Sequence, residues 1–377
     1  MNTQDTISIG ALLQREVLTP MKREFVGKDE VIDLLGICLI GGENLFILGP
    51  PGTAKSALVL RLGERLAGNT FNYLLTRFTE PNELFGPFDI RRLREGELAT
   101  NIDGMLPPAD LVFLDELLNA NSAILNSLLT ALNERVVARG KERIPVRALS
   151  FIGASNHLPE DDALNALFDR FLLRVHCDNV PADRLTQVLE AGWSLEQKSP
   201  PTSRLAMADL RNAQALIPQV DMSVVLSDYA TLIQRIRQAG IGVSDRRAVK
   251  LQRVVAASAV LCDRQTANGG DLWVLRHIWH AEDQREVLRA LVAEFTGKEE
   301  SGISRHPAAS NTRLPDAETM AQDLAWLSEK AVSESEHAMV RDRLAILEGQ
   351  LQWLAQQEVR QQLAERVQTL WRQIKAL

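Results

Sequence analysis

The stretch Leu45-Phe46-Ile47-Leu48-Gly49-Pro50-Pro51-Gly52-Thr53-Ala54-Lys55-Ser56 constrains this chain more than any other. An apolar run turns through Gly and Pro and ends in Lys-Ser, and residues 57–66 then carry helical spacing. The order is strand, glycine-rich loop, helix. Such a loop aims successive backbone N–H groups at a phosphate, and the helix N-terminus adds partial positive charge. Lys55 is placed to reach β- and γ-phosphates, and the Ser56 hydroxyl to hold Mg²⁺. Gly49 through Ala57 is therefore a candidate nucleotide cradle. The general pattern is G-x-x-x-x-G-K-[ST], and Ala54 stands where its second glycine belongs. A Cβ is thus asked to fit where backbone crowds the phosphates.

A phosphoryl hydrolase needs more than a cradle. It needs a metal carboxylate and a group that orients water. About sixty residues downstream, Leu111-Val112-Phe113-Leu114-Asp115-Glu116 supplies both candidates. Four apolar residues predict a buried parallel strand, and ligands bind beyond the C-terminal ends of such strands. Asp115 would join the Mg²⁺ shell, and Glu116 would orient and deprotonate the attacking water. A third buried run, Ala148 to Ser155, ends in Asn156, whose amide could hydrogen-bond the γ-phosphate or the water. Ahead of the loop, Val26-Gly27 precedes a helix, a step that can lay backbone against a flat ring such as adenine.

The intervening segments are helical or inserted. Residues 8–39 carry apolar positions at helical spacing, and 71–76 reads as a second strand. Residues 80–105 form an insertion longer than ordinary α/β loops, which points to function. Residues 122–134 make an amphipathic helix, 135–147 a hairpin, and 164–171 a helix containing Phe168-Asp169-Arg170-Phe171.

Composition limits the partners. The 377 residues suffice for two or three domains, and net charge is −7. Free nucleic acid is not favoured by bulk electrostatics, and the two tyrosines provide little stacking surface. Cys38, Cys177 and Cys262 have neither metal spacing nor an even count. No apolar run approaches the ~20 residues of a membrane span, and no secretory pattern opens the chain. A cytoplasmic setting is expected.

The combination of Gly49-Pro50-Pro51-Gly52-Thr53-Ala54-Lys55-Ser56, Leu114-Asp115-Glu116, residues 119–134, Ala154-Ser155-Asn156 and Phe168-Asp169-Arg170-Phe171 resembles the AAA+ ATPases. Within them it resembles the MoxR family, RavA-like branch, over about residues 20–290, and Ala54 is usual there. The resemblance implies ATP/ADP and Mg²⁺ as cofactors, hydrolysis of ATP, and a ring homo-oligomer, expected to be a hexamer. It makes 80–105 the helix-2 insert, 135–147 the pre-sensor-1 insertion, and Asn156 sensor 1. Arg170 becomes the arginine finger acting on a neighbour's ATP, with Arg174 as the rival. Gly242-Val243-Ser244-Asp245-Arg246-Arg247 resembles the start of a sensor-2 helix, with Arg246 touching phosphates in cis and Arg247 as alternative. A partner with a von Willebrand factor A domain is implied by the resemblance alone.

The expected fold is α/β: an AAA+ nucleotide-binding domain with a parallel sheet (1–180), then an α-helical lid (181–296). A linker (297–315) and a C-terminal helical hairpin or coiled-coil-like module (316–377) follow. In the lid, residues 272–291 read as one helix. In the tail, Leu344, Leu347, Leu351 and Leu354, then Leu363, Val367, Leu370, Ile374 and Leu377, carry heptad-like spacing with a slip near Glu358. Trp326, Trp353 and Trp371 would anchor them. Two other readings stay open. A nucleic-acid motor would draw on Arg91, Arg92, Arg94, Arg139, Lys141 and Arg143. An ATP-gated scaffold with little turnover would have no need of Glu116.

Overall fold

A computed structural model describes residues 9–95, 99–139, 142–159, 161–197, 204–296 and 357–376, with a few positions between 321 and 344. The expected linker at 297–315 lies outside these residues, as do Lys141, Leu347, Leu351, Leu354, Trp326, Trp353 and Leu377.

Five parallel strands form the central sheet. They are β1 (Leu45–Leu48), β2 (Thr70–Leu74), β3 (Leu111–Asp115), β4 (Ser150–Ser155) and β5 (Leu173–His176), in the spatial order β2-β3-β4-β1-β5. β1 and β4 are buried along their whole length, as expected of strands covered on both faces. Register places Leu48 beside both Ser155 and His176, so the loops after β1, β4 and β5 leave the same edge. β3 ends at that edge too, with Leu74 paired to Asp115.

Helices cover the sheet: α1 (Asp29–Gly41), α2 (Lys55–Arg65), α3 (Ser122–Glu134) and α4 (Asp162–Phe168). α1 buries every residue from Val31 to Gly41, because it lies between the sheet and the later helices. α3 matches the amphipathic span read from sequence, capped by the Asn121 side chain on the Ile124 N–H. Glu24, on the N-terminal helical segment, accepts from Arg61 and Arg65 of α2 and ties that segment to the helix after the loop.

The inserted segments touch each other. Val136–Arg139 pairs antiparallel with Glu142–Pro145, as the expected hairpin requires, and Arg139 donates to the Gly86 carbonyl and Asn82 side chain and covers the Phe88 ring at 4.9 Å. Thr100 bonds Glu142 across the same contact at 2.8 Å. The described residues on both arms of the 80–105 excursion are therefore packed, with Leu84 and Phe85 buried.

Beyond the sheet come α5 (Leu185–Gln197), α6 (Met207–Leu216), α7 (Leu226–Gln238), α8 (Asp245–Leu261) and α9 (Gln284–Thr296). One expectation fails here. Residues 272–291 are not one helix: a 3₁₀ segment, Gly269–His277, stops before α9 begins. The carbonyls of Ile278 and Trp279 are taken by Arg174 and Arg247 side chains, and Gln284 caps the His280 N–H. Those groups cannot also serve a continuous helix. Trp273 and Trp279 are core residues, 0% and 1% exposed.

In the tail, α10 (Gln357–Ala376) contributes Leu363, Val367 and Leu370 to a small cluster with Leu324, Leu327, Val340 and Leu344. This cluster is separate from the main core.

Candidate active site

The loop after β1 owes its shape to three residues. Gly49 has no room for a side chain, since a Cβ would stand 2.3 Å from the Cys177 carbonyl oxygen at the end of β5. Gly52 is needed for conformation instead: its φ is +81°, and nothing lies within 4 Å of a Cβ built there. Ala54, where the general pattern has glycine, also takes a left-handed conformation (φ 69°, ψ 21°) and opens α2. A non-glycine residue there costs ~1–2 kcal/mol. The difficulty raised by Ala54 is thus backbone strain. The Thr53 hydroxyl donates to the Pro50 carbonyl at 2.9 Å and the Cys177 thiol to the Thr53 carbonyl at 3.2 Å, which hold this geometry.

Five residues read from three separate stretches of sequence meet here through one chain of hydrogen bonds. Ser56 Oγ donates to Asp115 Oδ2 at 2.6 Å, and Asp115 Oδ1 accepts the Glu116 N–H at 3.0 Å. The Asn156 amide donates to Glu116 Oε1, and Asn156 Oδ1 accepts from Lys55 Nζ at 2.8 Å. Lys55 also bonds the carbonyls of Gly49 (2.5 Å) and Pro50 (3.0 Å) and is 6% exposed. Glu116 is itself left-handed (φ 50°, ψ 43°), a strained state of the kind concentrated at functional sites. Strain at Ala54 and Glu116 accounts for two of the four non-glycine positive φ values among the described residues.

The residues fit a phosphate and a hard cation. The Lys55 ammonium lies against carbonyls of its own loop, where a phosphate oxygen is the better partner. The Ser56 hydroxyl and Asp115 carboxylate are adjacent oxygen donors of the type Mg²⁺ takes.

Beside the loop, a cavity of about 740 Å³ is lined by Gly27, Val31, His176, Asp178, Val180 and Arg184, among others. Gly27 is left-handed (φ 75°), and a Cβ there would meet Val180 at 2.3 Å. Val26 is half-buried and does not line the cavity.

Arg170 and Arg246 are elsewhere. Both are exposed and both line a cleft of about 620 Å³ with Glu43, Asn133, Arg237, Lys250 and His280. Glu43 precedes β1 and Asn133 is near the end of α3, so this cleft opens at the N-terminal edge of the sheet. Lys55 sits at the C-terminal edge. Asn44 anchors the Arg170 backbone by donating to its carbonyl at 3.0 Å. Arg246 is expected from sequence to touch phosphates of its own chain, but the cleft it lines includes no residue of the Gly49–Ser56 loop. The lid packs α8 against α1 instead of over Lys55, with the Arg253 side chain on the Gly41 carbonyl at 3.2 Å.

The two rivals are tied down. Arg174 is 0% exposed, stacks 4.1 Å from the centre of the Phe168 ring, and donates to the carbonyls of Phe168 and Trp279. Burial pulls its pKa well below the usual arginine range. Arg247 donates to the Ile278 carbonyl at 2.9 Å, and burial lowers its pKa to about 10. Their neighbours in sequence, Arg170 and Arg246, are the exposed members of each pair. Sequence reasoning missed His280, which bridges these elements, because a single histidine in a polar loop carries no pattern.

A family model described as the MoxR domain in the MoxR-vWA-beta-propeller ternary systems matches residues 12–215, and an AAA lid domain model matches 224–292. An uncharacterized protein of Methanocaldococcus jannaschii is 33% identical over 277 residues, 73% of this chain and 72% of that one. Chaperone MoxR1 of Mycobacterium tuberculosis is 26% identical over 161 residues, 41% of this chain and 42% of its own. A crystal structure of a candidate ATPase from Cytophaga hutchinsonii shares the fold, with TM-score 0.59 and 19% identity, covering 76% of this chain and 94% of that one. No helix among the described residues is long and apolar enough to cross a membrane.

Proposed function

Because the chain belongs to the MoxR family of AAA+ ATPases, we propose that it hydrolyses ATP as a ring of identical subunits, six in number, and uses the resulting motion to remodel a partner protein. The observation that carries this reading is the continuous chain Ser56–Asp115–Glu116–Asn156–Lys55 at one edge of the sheet. Lys55 exchanges its loop carbonyls for β- and γ-phosphate oxygens. Asn156, released by Lys55, turns to the γ-phosphate while keeping Glu116 oriented. Glu116 aligns a water for in-line attack and accepts its proton. Ser56 and Asp115 would hold Mg²⁺, which when bound neutralises charge on the phosphates. The cavity at Gly27 takes the nucleoside.

Arg170 completes the site of the neighbouring subunit, and Arg246 works beside it across the same interface. What supports this is their shared cleft at the edge opposite Lys55. A partner with a von Willebrand factor A domain is supported by the description of the matching family model, and a chaperone-type output by the MoxR1 relative. Membership of the RavA-like branch and a cytoplasmic setting belong to the same proposal and rest on the sequence motifs.

Mixed rings test it. Arg170→Ala subunits and Glu116→Gln subunits should each be inactive alone. Mixed, they should regain part of the wild-type turnover, because an intact Arg170 then faces an intact Glu116. Assembled mixed rings without recovery would refute the finger role.

A further inference from the structure

The two exposed arginines are not held independently. Arg170 follows Asp169, Arg246 precedes Arg247, and Asp169 and Arg247 are joined through one imidazole. Asp169 Oδ1 lies 3.2 Å from His280 Nδ1, and His280 Nε2 meets the Arg247 guanidinium. A guanidinium has only donors, so Arg247 donates and Nε2 accepts. The proton is therefore on Nδ1, donated to Asp169, and the imidazole is neutral.

The surroundings favour that state. The groups facing His280 are Asp169 from the turn after α4, Arg174 from β5 and Arg247 from α8. Burial lowers the His280 pKa and the two arginines add to this, while Asp169 opposes it. The hydrogen bond from His280 in turn holds the Asp169 carboxyl below its ordinary range. Arg174 fixes the frame. It reaches Asp169 Oδ1 at 3.3 Å and the Ile278 carbonyl at 3.2 Å, and that carbonyl also accepts from Arg247.

We propose that Asp169, His280 and Arg247 form a positioning relay in which neutral His280 locks Arg170 and Arg246 into one two-pronged cationic unit. Arg170 rides on the turn after the sheet domain's α4, and Arg246 on the first turn of a lid helix. Without the relay, lid movement would change the spacing of the two prongs. With it, both approach the neighbour's phosphates together. None of the three relay residues touches nucleotide; each acts through the arginine beside it. The inference rests on the trans role proposed for Arg170.

Loss of the relay should lower kcat more than it raises KM for ATP, because the nucleotide's own cradle lies at the other edge. Misplacement of a charge-stabilising group by about 1 Å costs up to ~100-fold, so His280→Phe should lose roughly 10–100-fold in kcat. Protonating His280 removes the acceptor for Arg247 and adds a cation beside two others. The wild-type kcat should therefore fall on an acid limb that His280→Gln, which cannot titrate, lacks.

The decisive experiment mixes each of His280→Phe and Arg170→Ala with Glu116→Gln subunits and measures ATP turnover, nucleotide affinity and oligomer size. The relay requires that His280→Phe alone be impaired with affinity retained and that mixing rescue it as it rescues Arg170→Ala. Rescue of Arg170→Ala but not His280→Phe overturns the relay and leaves the finger standing. Failure to rescue either overturns both. If His280→Phe does not fold, the acid limb decides: its persistence in His280→Gln overturns the relay.

Discussion

Adding one methyl group to Gly49 or to Gly52 should produce opposite defects, although the two residues share one loop. At Gly49 the new Cβ would stand 2.3 Å from the Cys177 oxygen and 3.0 Å from its carbonyl carbon. Both are backbone atoms, and the Cys177 N–H is bonded to the Leu48 carbonyl at 2.7 Å, so neither strand can yield alone. Relief requires about 1 Å of separation between β1 and β5, and overpacking of this kind costs ~3 kcal/mol. At Gly52 a Cβ meets nothing within 4 Å, and only the left-handed backbone is penalised, by ~1–2 kcal/mol. At roughly 2–4 °C per kcal/mol, Gly49→Ala should lower the melting temperature by about 6–12 °C and Gly52→Ala by about 2–8 °C. Nucleotide affinity should rank the other way. The Gly52 methyl projects into the space where the phosphates go, and ATP binding should weaken about tenfold or more through loss of one or two charge-assisted contacts. Differential scanning fluorimetry and titration with a fluorescent ATP analogue measure both. Equal melting of Gly49→Ala and wild type would refute the close packing of the loop on β5. A larger stability loss at Gly52 than at Gly49 would refute the division of roles.

Two further outcomes are expected. Burial pushes the Asp33 carboxyl up to about 6 even though Lys22 Nζ lies 2.6 Å away. Between the ordinary value of 3.8 and about 6 the folded state binds more protons than the unfolded, so this group's contribution weakens as pH rises through that window. Urea unfolding of wild type and Asp33→Asn should show a difference that shifts toward the Asn form by on the order of 3 kcal/mol between pH 4 and pH 7. A pH-independent difference would contradict this. Ending the chain at residue 315 should leave melting and ATP binding of the remainder near wild type, because the tail residues have their own cluster. A truncated chain without cooperative unfolding would assign the tail to the lid.

The edge proposed to be catalytic was legible because its strand-end residues each follow a run of buried apolar residues. β1, β3 and β4 end in Gly49, Asp115-Glu116 and Asn156, and parallel pairing brings their ends together. Local pattern and global fold agree there. The opposite cleft was not legible in the same way. Whether Arg246 faces its own loop or a neighbour depends on how α8 meets α1, through contacts such as Arg253 with Gly41 and Gln214 with Leu39. Residues about 200 positions apart decide it, and no local spacing records that. Arg174 and Arg170 likewise look interchangeable as sequence. Burial under Trp279 and Phe168 separates them. The break before α9 follows from side chains that claim two backbone carbonyls, which a periodicity reading of 272–291 does not detect.

The edge holding Lys55, Asp115, Glu116 and Asn156 is proposed to be a catalytic ATP site. Glu116→Gln is nearly isosteric and can still accept from the Asn156 amide, but it cannot take a proton from water. Its ATP affinity, measured by equilibrium binding, should match wild type, while phosphate release falls at least ~100-fold. Undiminished phosphate release from the Glu116→Gln protein would contradict the account.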